Sequence, residues 1–339
     1  MDNLKLGLIG LGRMGRKYAD IINNSIVNAS IIGVCSIHDK ELDYAKFELG
    51  VPYTVQNHRQ LLELNELDAV MILSSTIEHA THMIDVLNAG YHVFCEKPLA
   101  LSVEDCQRVI KVAGSKPSQL SIVGFNRRFD KSYVYAKQKI TEGLIGTPFM
   151  VRSQTVDKDA QVGFQQNYVA KSGGIFMDYN AHDIDLARWY LDSEFQSVYS
   201  LGGSYKHKVF EQMNDADNVV TIGKMENGTI AQIHASRTAV HGHDTYCEIT
   251  GTEGSLRIGR PAGKNLVEIY DKNGSRREIV DSFLERFEES FVHQTQSFVD
   301  HVLQGKKMSL TLHDGLEATR VGVAMTKSFM LNKEIIIQR

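Results

Sequence analysis

The feature that most constrains this chain is an alternation of short apolar runs with helical patterns over residues 1–125. Residues 5–9 (KLGLI) lead into a helical pattern ending near Asp20, and 31–35 (IIGVC) into one around 42–49. Residues 69–73 (AVMIL) precede a helix near 79–89, 91–95 (YHVFC) precede one near 103–112, and 121–125 (SIVGF) close the series. Continuous apolar strands of this length bury both faces, and their alternation with helices specifies a parallel sheet covered on both sides. The expected fold of this half is α/β, a doubly wound Rossmann sheet.

After about Arg127 the texture changes. A helix is expected over 132–142, then strands at 149–154, 195–202, 218–225, 229–236, 245–250, 255–258 and 266–270. Turn signals at Glu226-Asn227-Gly228, at 251–254 and at Lys272-Asn273-Gly274 punctuate them. Helices near 287–303, capped by Gly305, and near 316–331 precede a last strand at 334–337. This half reads as an α+β domain built on a large, open, mostly antiparallel sheet. The expected division is a dinucleotide-binding domain over 1–125 and a substrate-binding, oligomerising domain over 126–339, because 339 residues exceed a typical single core.

Gly10-Leu11-Gly12-Arg13-Met14-Gly15 fits G-x-G-x-x-G between the first strand and the first helix. Gly10 makes the tight turn, Gly12 lets backbone approach a pyrophosphate, and Gly15 lets helix pack on strand. The helix N-terminus then offers its free N–H groups to the anion. The expected ligand is NAD. The acidic residue that normally reads the ribose 2′-hydroxyl has Ser36 in its place, so NADP stays open. His38 or Lys40 could attract a 2′-phosphate, whereas Asp39 could reach the ribose instead.

Ligands of a doubly wound sheet sit at the carboxyl ends of its strands. Glu96-Lys97-Pro98 follows the fourth apolar run, which puts Lys97 beside a nicotinamide, able to hold a substrate oxygen and favour a developing alkoxide. Ser74, Thr76 and His79 end the third run and are expected near the cofactor, as is Glu96. In the second half, Asp178 and His182 are spaced i,i+4 and share a helix face. A carboxylate beside an imidazole fixes its tautomer and raises its basicity, as a general base requires.

Net charge is −4, with 37 Lys and Arg against 41 Asp and Glu, which argues against a nucleic-acid groove built from bulk positive charge. No apolar stretch approaches the roughly 18 residues that span a bilayer. The first strand begins almost at the first residue, so no signal peptide is expected. The four cysteines are scattered without a C-x-x-C pair and read as reduced thiols. His241 and His243 alternate but lack further ligands, so no metal is expected. Together these features lead to the expectation of a cytoplasmic enzyme that binds neither nucleic acid nor membrane.

Four ordered segments, Gly10 to Gly15, Glu96-Lys97-Pro98, Gly124-Phe125-Asn126-Arg127-Arg128-Phe129-Asp130, and Gly173-Gly174 through Asp178, His182 and Arg188-Trp189, resemble the glucose–fructose oxidoreductase/inositol dehydrogenase (Gfo/Idh/MocA) family over nearly the whole chain. The G-F-x-R-R-[FY]-D string resembles its bacterial inositol 2-dehydrogenases in particular. The resemblance implies NAD(P)-dependent oxidation of a ring hydroxyl of myo- or scyllo-inositol to the ketone, by hydride transfer to the nicotinamide. It implies that His182 takes the hydroxyl proton, Asp178 orients His182, and Lys97 holds and polarises the oxygen. It also implies a homodimer or homotetramer assembled through the second-domain sheet. Asn126 stands where those enzymes carry an apolar residue, and His241-Gly242-His243 where they present tyrosines. With Arg127, these positions are expected to contact the cyclic polyol, and they leave the isomer open, with a pyranose dehydrogenase or keto-sugar reductase as the alternative. A non-catalytic dinucleotide-binding sensor is expected to lack the Lys or the His, and this chain has both.

Overall fold

The computed structural model describes residues 3–159, 169, 171–259 and 262–339. The chain forms two compact units: Met1–Asn126 with Glu289–Thr319, and Arg127–Glu288 with Arg320–Arg339. The second of the expected domains is therefore not one continuous stretch, since residues 289–319 pack with the first unit.

In the first unit the elements run β1 (Leu4–Ile9), α1 (Arg13–Ser25), β2 (Ala29–Cys35), α2 (Asp39–Phe47), β3 (Tyr53–Val55), α3 (His58–Leu62), β4 (Ala69–Ile72), α4 (His79–Ala89), β5 (His92–Cys95), α5 (Val103–Gly114) and β6 (Ser121–Val123). The sheet order is β3-β2-β1-β4-β5-β6, and every pairing is parallel. This is the doubly wound fold that the apolar runs specify. Leu6, Leu8, Val70, Met71 and Phe94 are fully buried, as strands covered on both faces must be. The order reverses between β1 and β4, so ligands belong at the carboxyl ends of those strands.

The second unit contains α6 (Lys131–Thr141), β7 (Pro148–Lys158), α7 (Gly174–Asp178), α8 (Ala181–Leu191), β8 (Phe195–Gly203), β9 (Asn218–Met225), β10 (Ile230–Ala239), β11 (Asp244–Gly251), β12 (Ser255–Ile258), β13 (Ile269–Asp271), β14 (Gly274–Arg276) and α9 (Phe283–Arg286). Then come α10 (Glu288–Gln304), α11 (Leu312–Leu331), which runs from the first unit into the second, and β15 (Ile335–Ile336). A seven-stranded sheet has the order β12-β11-β7-β10-β9-β8-β15, antiparallel except for the central β7–β10 pair. Strand β9 alternates buried Val219, Thr221 and Met225 with exposed Val220 and Ile222, so one sheet face is covered and the other is open.

Side-chain chemistry explains why residues 289–319 leave the second unit. On α10, Phe291 sets its ring edge-on to Tyr18 at 5.7 Å, and Phe298 meets Phe94 at 5.8 Å. The start of α11 lies so close to the end of β6 that a Cβ on Gly315 would sit 2.8 Å from Val123 Cγ2. Farther along, Thr319 Oγ1 donates to the Ala100 carbonyl at 3.2 Å.

Candidate active site

The loop after β1 shows what each glycine does. Gly10 has φ +95°, and a Cβ there would meet the Ser74 nitrogen at 2.7 Å. A Cβ on Gly15 would lie 2.3 Å from the Gly10 carbonyl oxygen, so only glycine lets α1 start this close to the strand. Gly12 is different, because the nearest atom to its Cβ would be Glu41 Oε1 at 4.0 Å. Its freedom is not spent on protein packing. Gly12 is also the N-cap of α1, with no side-chain cap and no acidic residue in the first turn. The start of α1, with Arg13 and Met14 in its first turn and no side chain on its N-cap, leaves a cradle that fits the pyrophosphate of NAD.

At the end of β2, Ser36 is buried and its hydroxyl donates to Glu41 Oε2 at 2.6 Å. The His38 N–H donates back to Ser36 Oγ at 3.1 Å. Asp39, the carboxylate expected to reach a ribose, instead accepts from Gln56 Nε2 at 2.6 Å. The sequence reading missed Glu41, which is in the first turn of α2 rather than at the strand end.

The carboxyl ends of β4 and β5 carry the next group. Ser74 Oγ is 3.0 Å from His82 Nδ1, and Thr76 opens a short 3-10 turn. His79 is 1% exposed, with Nδ1 donating to the Pro98 carbonyl at 2.8 Å and Nε2 at 3.2 Å from the Ser74 carbonyl. Burial pushes its pKa down. His79, expected near the cofactor, ties the β4 end to the Lys97-Pro98 turn. Glu96 is also internal. Its Oε1 accepts the Tyr18 hydroxyl at 2.6 Å, and its Oε2 accepts the Lys97 N–H at 3.0 Å. A Cβ on Gly124 would come within 3.1 Å of Glu96 Oε1, so the Glu96-Lys97-Pro98 and Gly124-Phe125 segments fit one another. Glu96 fixes the backbone of Lys97, which is half-buried at the carboxyl end of β5.

In the second unit, Gly173 and Gly174 have φ of +84° and +83° and turn the chain into α7. Asp215 Oδ1 accepts the Ile175 N–H at 3.0 Å, and its Oδ2 accepts Arg237 Nη1 at 2.7 Å. A carboxylate at a helix start is favoured by the free N–H groups there. Asp178 ends α7 and is buried, while His182 is half-buried near the start of α8. Tyr179 and Asn180 between them keep right-handed helical angles, so Asp178 and His182 stay one turn apart. Burial pushes the Tyr179 phenol well up, and its neighbour Asp157 adds to this.

Several expected substrate contacts have other partners. Arg127 is 2% exposed and donates from Nη1 to Asp183 at 2.9 Å and from Nη2 to Thr155 Oγ1 at 2.6 Å. Asp183 is fully buried and also accepts from Ser153 and Thr155, so the pair belongs to the core. Asn126, 2% exposed, donates to Ser290 Oγ at 3.0 Å. His241 keeps half its side chain in solvent, 3.5 Å from Asp244. His243 is buried, with Nδ1 2.6 Å from Asp157 Oδ1, and its Nε2 has no hydrogen-bond partner among the described residues. Nothing in the sequence pattern flagged Asp157, Asp215 or Arg237, because each acts through tertiary contacts alone.

Comparison with known proteins bears on this geometry. Residues 4–125 match the oxidoreductase family with an NAD-binding Rossmann fold, and residues 133–257 match the GFO/IDH/MocA C-terminal domain. The chain is 33% identical over 329 residues to the scyllo-inositol 2-dehydrogenase (NAD(+)) of Bacillus subtilis, covering 96% of this chain and 94% of that protein. It superposes with TM-score 0.96 on myo-inositol 2-dehydrogenase from Lactobacillus plantarum, at 34% identity over 99% of this chain and 100% of that one. With Lactobacillus casei scyllo-inositol dehydrogenase, solved with NAD(H) and scyllo-inositol, the TM-score is 0.95 and the identity 34%, over 99% of each chain.

Proposed function

Because the chain belongs to the GFO/IDH/MocA oxidoreductase family, with its NAD-binding Rossmann fold, we propose that it oxidises one ring hydroxyl of myo- or scyllo-inositol to the ketone. The observation that carries this reading is the Asp178–His182 pair on one helical turn, in a chain that also places Lys97 at the carboxyl end of β5. NAD, when bound, supplies the hydride acceptor. Lys97 holds the hydroxyl oxygen, and its charge stabilises the alkoxide as the proton leaves. His182 takes that proton, and Asp178 orients the imidazole and stabilises the cation it becomes. The ring carbon gives up its hydride, and a ketone remains. His243 Nε2 is the loop nitrogen assigned to a polyol hydroxyl in this reading, with Asp157 holding the opposite side of the ring.

The named activities of the similar proteins support the substrate class. A homodimer or homotetramer through the open face of the seven-stranded sheet is part of the same reading. Leu201 lies opposite Val220 there and Tyr199 opposite Ile222, and Leu201, Val220 and Ile222 are 47%, 36% and 58% exposed. A row of exposed apolar side chains on paired strands favours burial against another surface. A cytoplasmic setting suits four cysteines that are buried and unbridged. No helix among the described residues is long and apolar enough to cross a membrane.

The test is the initial rate of NADH formation with NAD and myo-inositol, scyllo-inositol, glucose or xylose. A strong rate on an inositol supports the proposal. Turnover confined to the sugars would move the chain to pyranose oxidation, with the same residues in the same roles.

A further inference from the structure

We propose that Glu41, held by Ser36, is the residue that makes this chain select NAD over NADP. The inference rests on the NAD-binding fold of the first unit and not on the inositol reading. In a doubly wound sheet the adenosine ribose lies between the glycine loop and the carboxyl end of the second strand, where an acidic side chain accepts from its hydroxyls. Here the strand ends in Ser36, which carries no charge. The charge arrives from α2 instead. Ser36 donates to Glu41 Oε2 at 2.6 Å, and Glu41 Oε1 is the atom nearest to a Cβ built on Gly12, at 4.0 Å. One carboxylate oxygen is therefore anchored and the other stands beside the open space over the loop.

Three further facts sharpen the assignment. Ser36 is buried and pinned by its own N–H to the Val55 carbonyl at 3.1 Å, so the anchor is fixed. Glu41 forms no ion pair among the described residues, so none of them neutralises its charge. Asp39, the other nearby carboxylate, is turned to Gln56. An unneutralised carboxylate accepts well from a ribose diol and repels a 2′-phosphate, which brings up to two more negative charges.

Calorimetric titration of the cofactor-free protein with NAD and with NADP tests this without any turnover. The wild-type protein is expected to bind NAD at least about 100-fold more tightly than NADP, on the Coulomb scale for charges a few ångströms apart. Glu41→Gln, which keeps shape and hydrogen bonding but loses charge, is expected to shrink that ratio about tenfold or more, mainly by tightening NADP. Ser36→Ala, which frees the carboxylate, is expected to lower the ratio, and Ser36→Thr to restore it. A purely structural role for Ser36 would weaken both ligands together and leave the ratio unmoved. Equal wild-type affinities, or an unchanged ratio in Glu41→Gln, would overturn the assignment. Absence of binding to either dinucleotide would overturn the cofactor site itself, a result separable from inactivity on inositols.

Discussion

Two glycines of the same loop are expected to respond oppositely to one added methyl group. In Gly15→Ala the new Cβ would stand 2.3 Å from a backbone carbonyl oxygen and 2.9 Å from its carbon. Neither atom can rotate away, so α1 must retreat by about 1 Å, and overpacking of this kind costs about 1–3 kcal/mol. Alanine recovers about 1 kcal/mol through its helix propensity. The net loss is up to about 2 kcal/mol of stability, with dinucleotide binding weakened because the N–H cradle moves. In Gly12→Ala the methyl meets nothing closer than 4.0 Å, and the φ of −68° with ψ of −157° is open to alanine. Stability should stay within about 0.5 kcal/mol of wild type. NAD binding should still weaken at least about tenfold, or 1.4 kcal/mol, because the methyl fills the space where the pyrophosphate approaches. Urea unfolding and calorimetric NAD titration of both variants decide the matter. A Gly12→Ala protein that binds NAD within twofold of wild type would refute the placement of the pyrophosphate.

Lys97→Ala and His182→Ala should each lower kcat by about 10²–10⁴, the usual worth of a positioned acid or base, while NAD affinity measured by titration changes little; nearly intact turnover in either would contradict its role. Arg127→Ala should lose about 3–5 kcal/mol in denaturant unfolding, because it strands the buried Asp183 carboxylate. A stable Arg127→Ala protein with a raised KM for polyol would instead return Arg127 to the substrate site. Burial, reinforced by His58 and His79, pushes the His82 imidazole from 6.5 down to about 4. The unfolded chain therefore binds this proton first, so stability is full above 6.5 and falls as pH drops from there toward about 4, by up to about 3 kcal/mol. Thermal unfolding of wild type and His82→Gln between pH 7 and 4.5 checks the sign, and an equal slope in both proteins would contradict it.

What the sequence revealed and what it hid follow a physical line. Strands β1, β4 and β5 were legible because burial on both faces demands unbroken apolar runs. The three-residue β3 carries no such run, as Tyr53 is exposed at the sheet edge, and it was missed. Gly10 and Gly15 could be given roles because only glycine fits at those points. Gly305 was legible for the same reason, with φ +62° just beyond α10. The internal partners of Arg127 and Asn126 were not legible, because Asp183, Thr155 and Ser290 reach them only through tertiary contacts. Glu41 and Asp215 were invisible because each is brought to its partner by a turn of chain that no local pattern encodes. The departure of residues 289–319 from the second unit is a packing choice, decided where Phe291 and Phe298 find Tyr18 and Phe94.

The central claim is hydride transfer from a cyclic polyol carbon to NAD, and isotope transfer tests it most directly. The protein would be incubated with NAD and ring-deuterated myo-inositol or scyllo-inositol, and the reduced cofactor weighed by mass spectrometry. The account predicts NADH carrying one deuterium from the substrate ring, formed more slowly than from the unlabelled polyol. NADH without deuterium, or no NADH from either isomer, would contradict it.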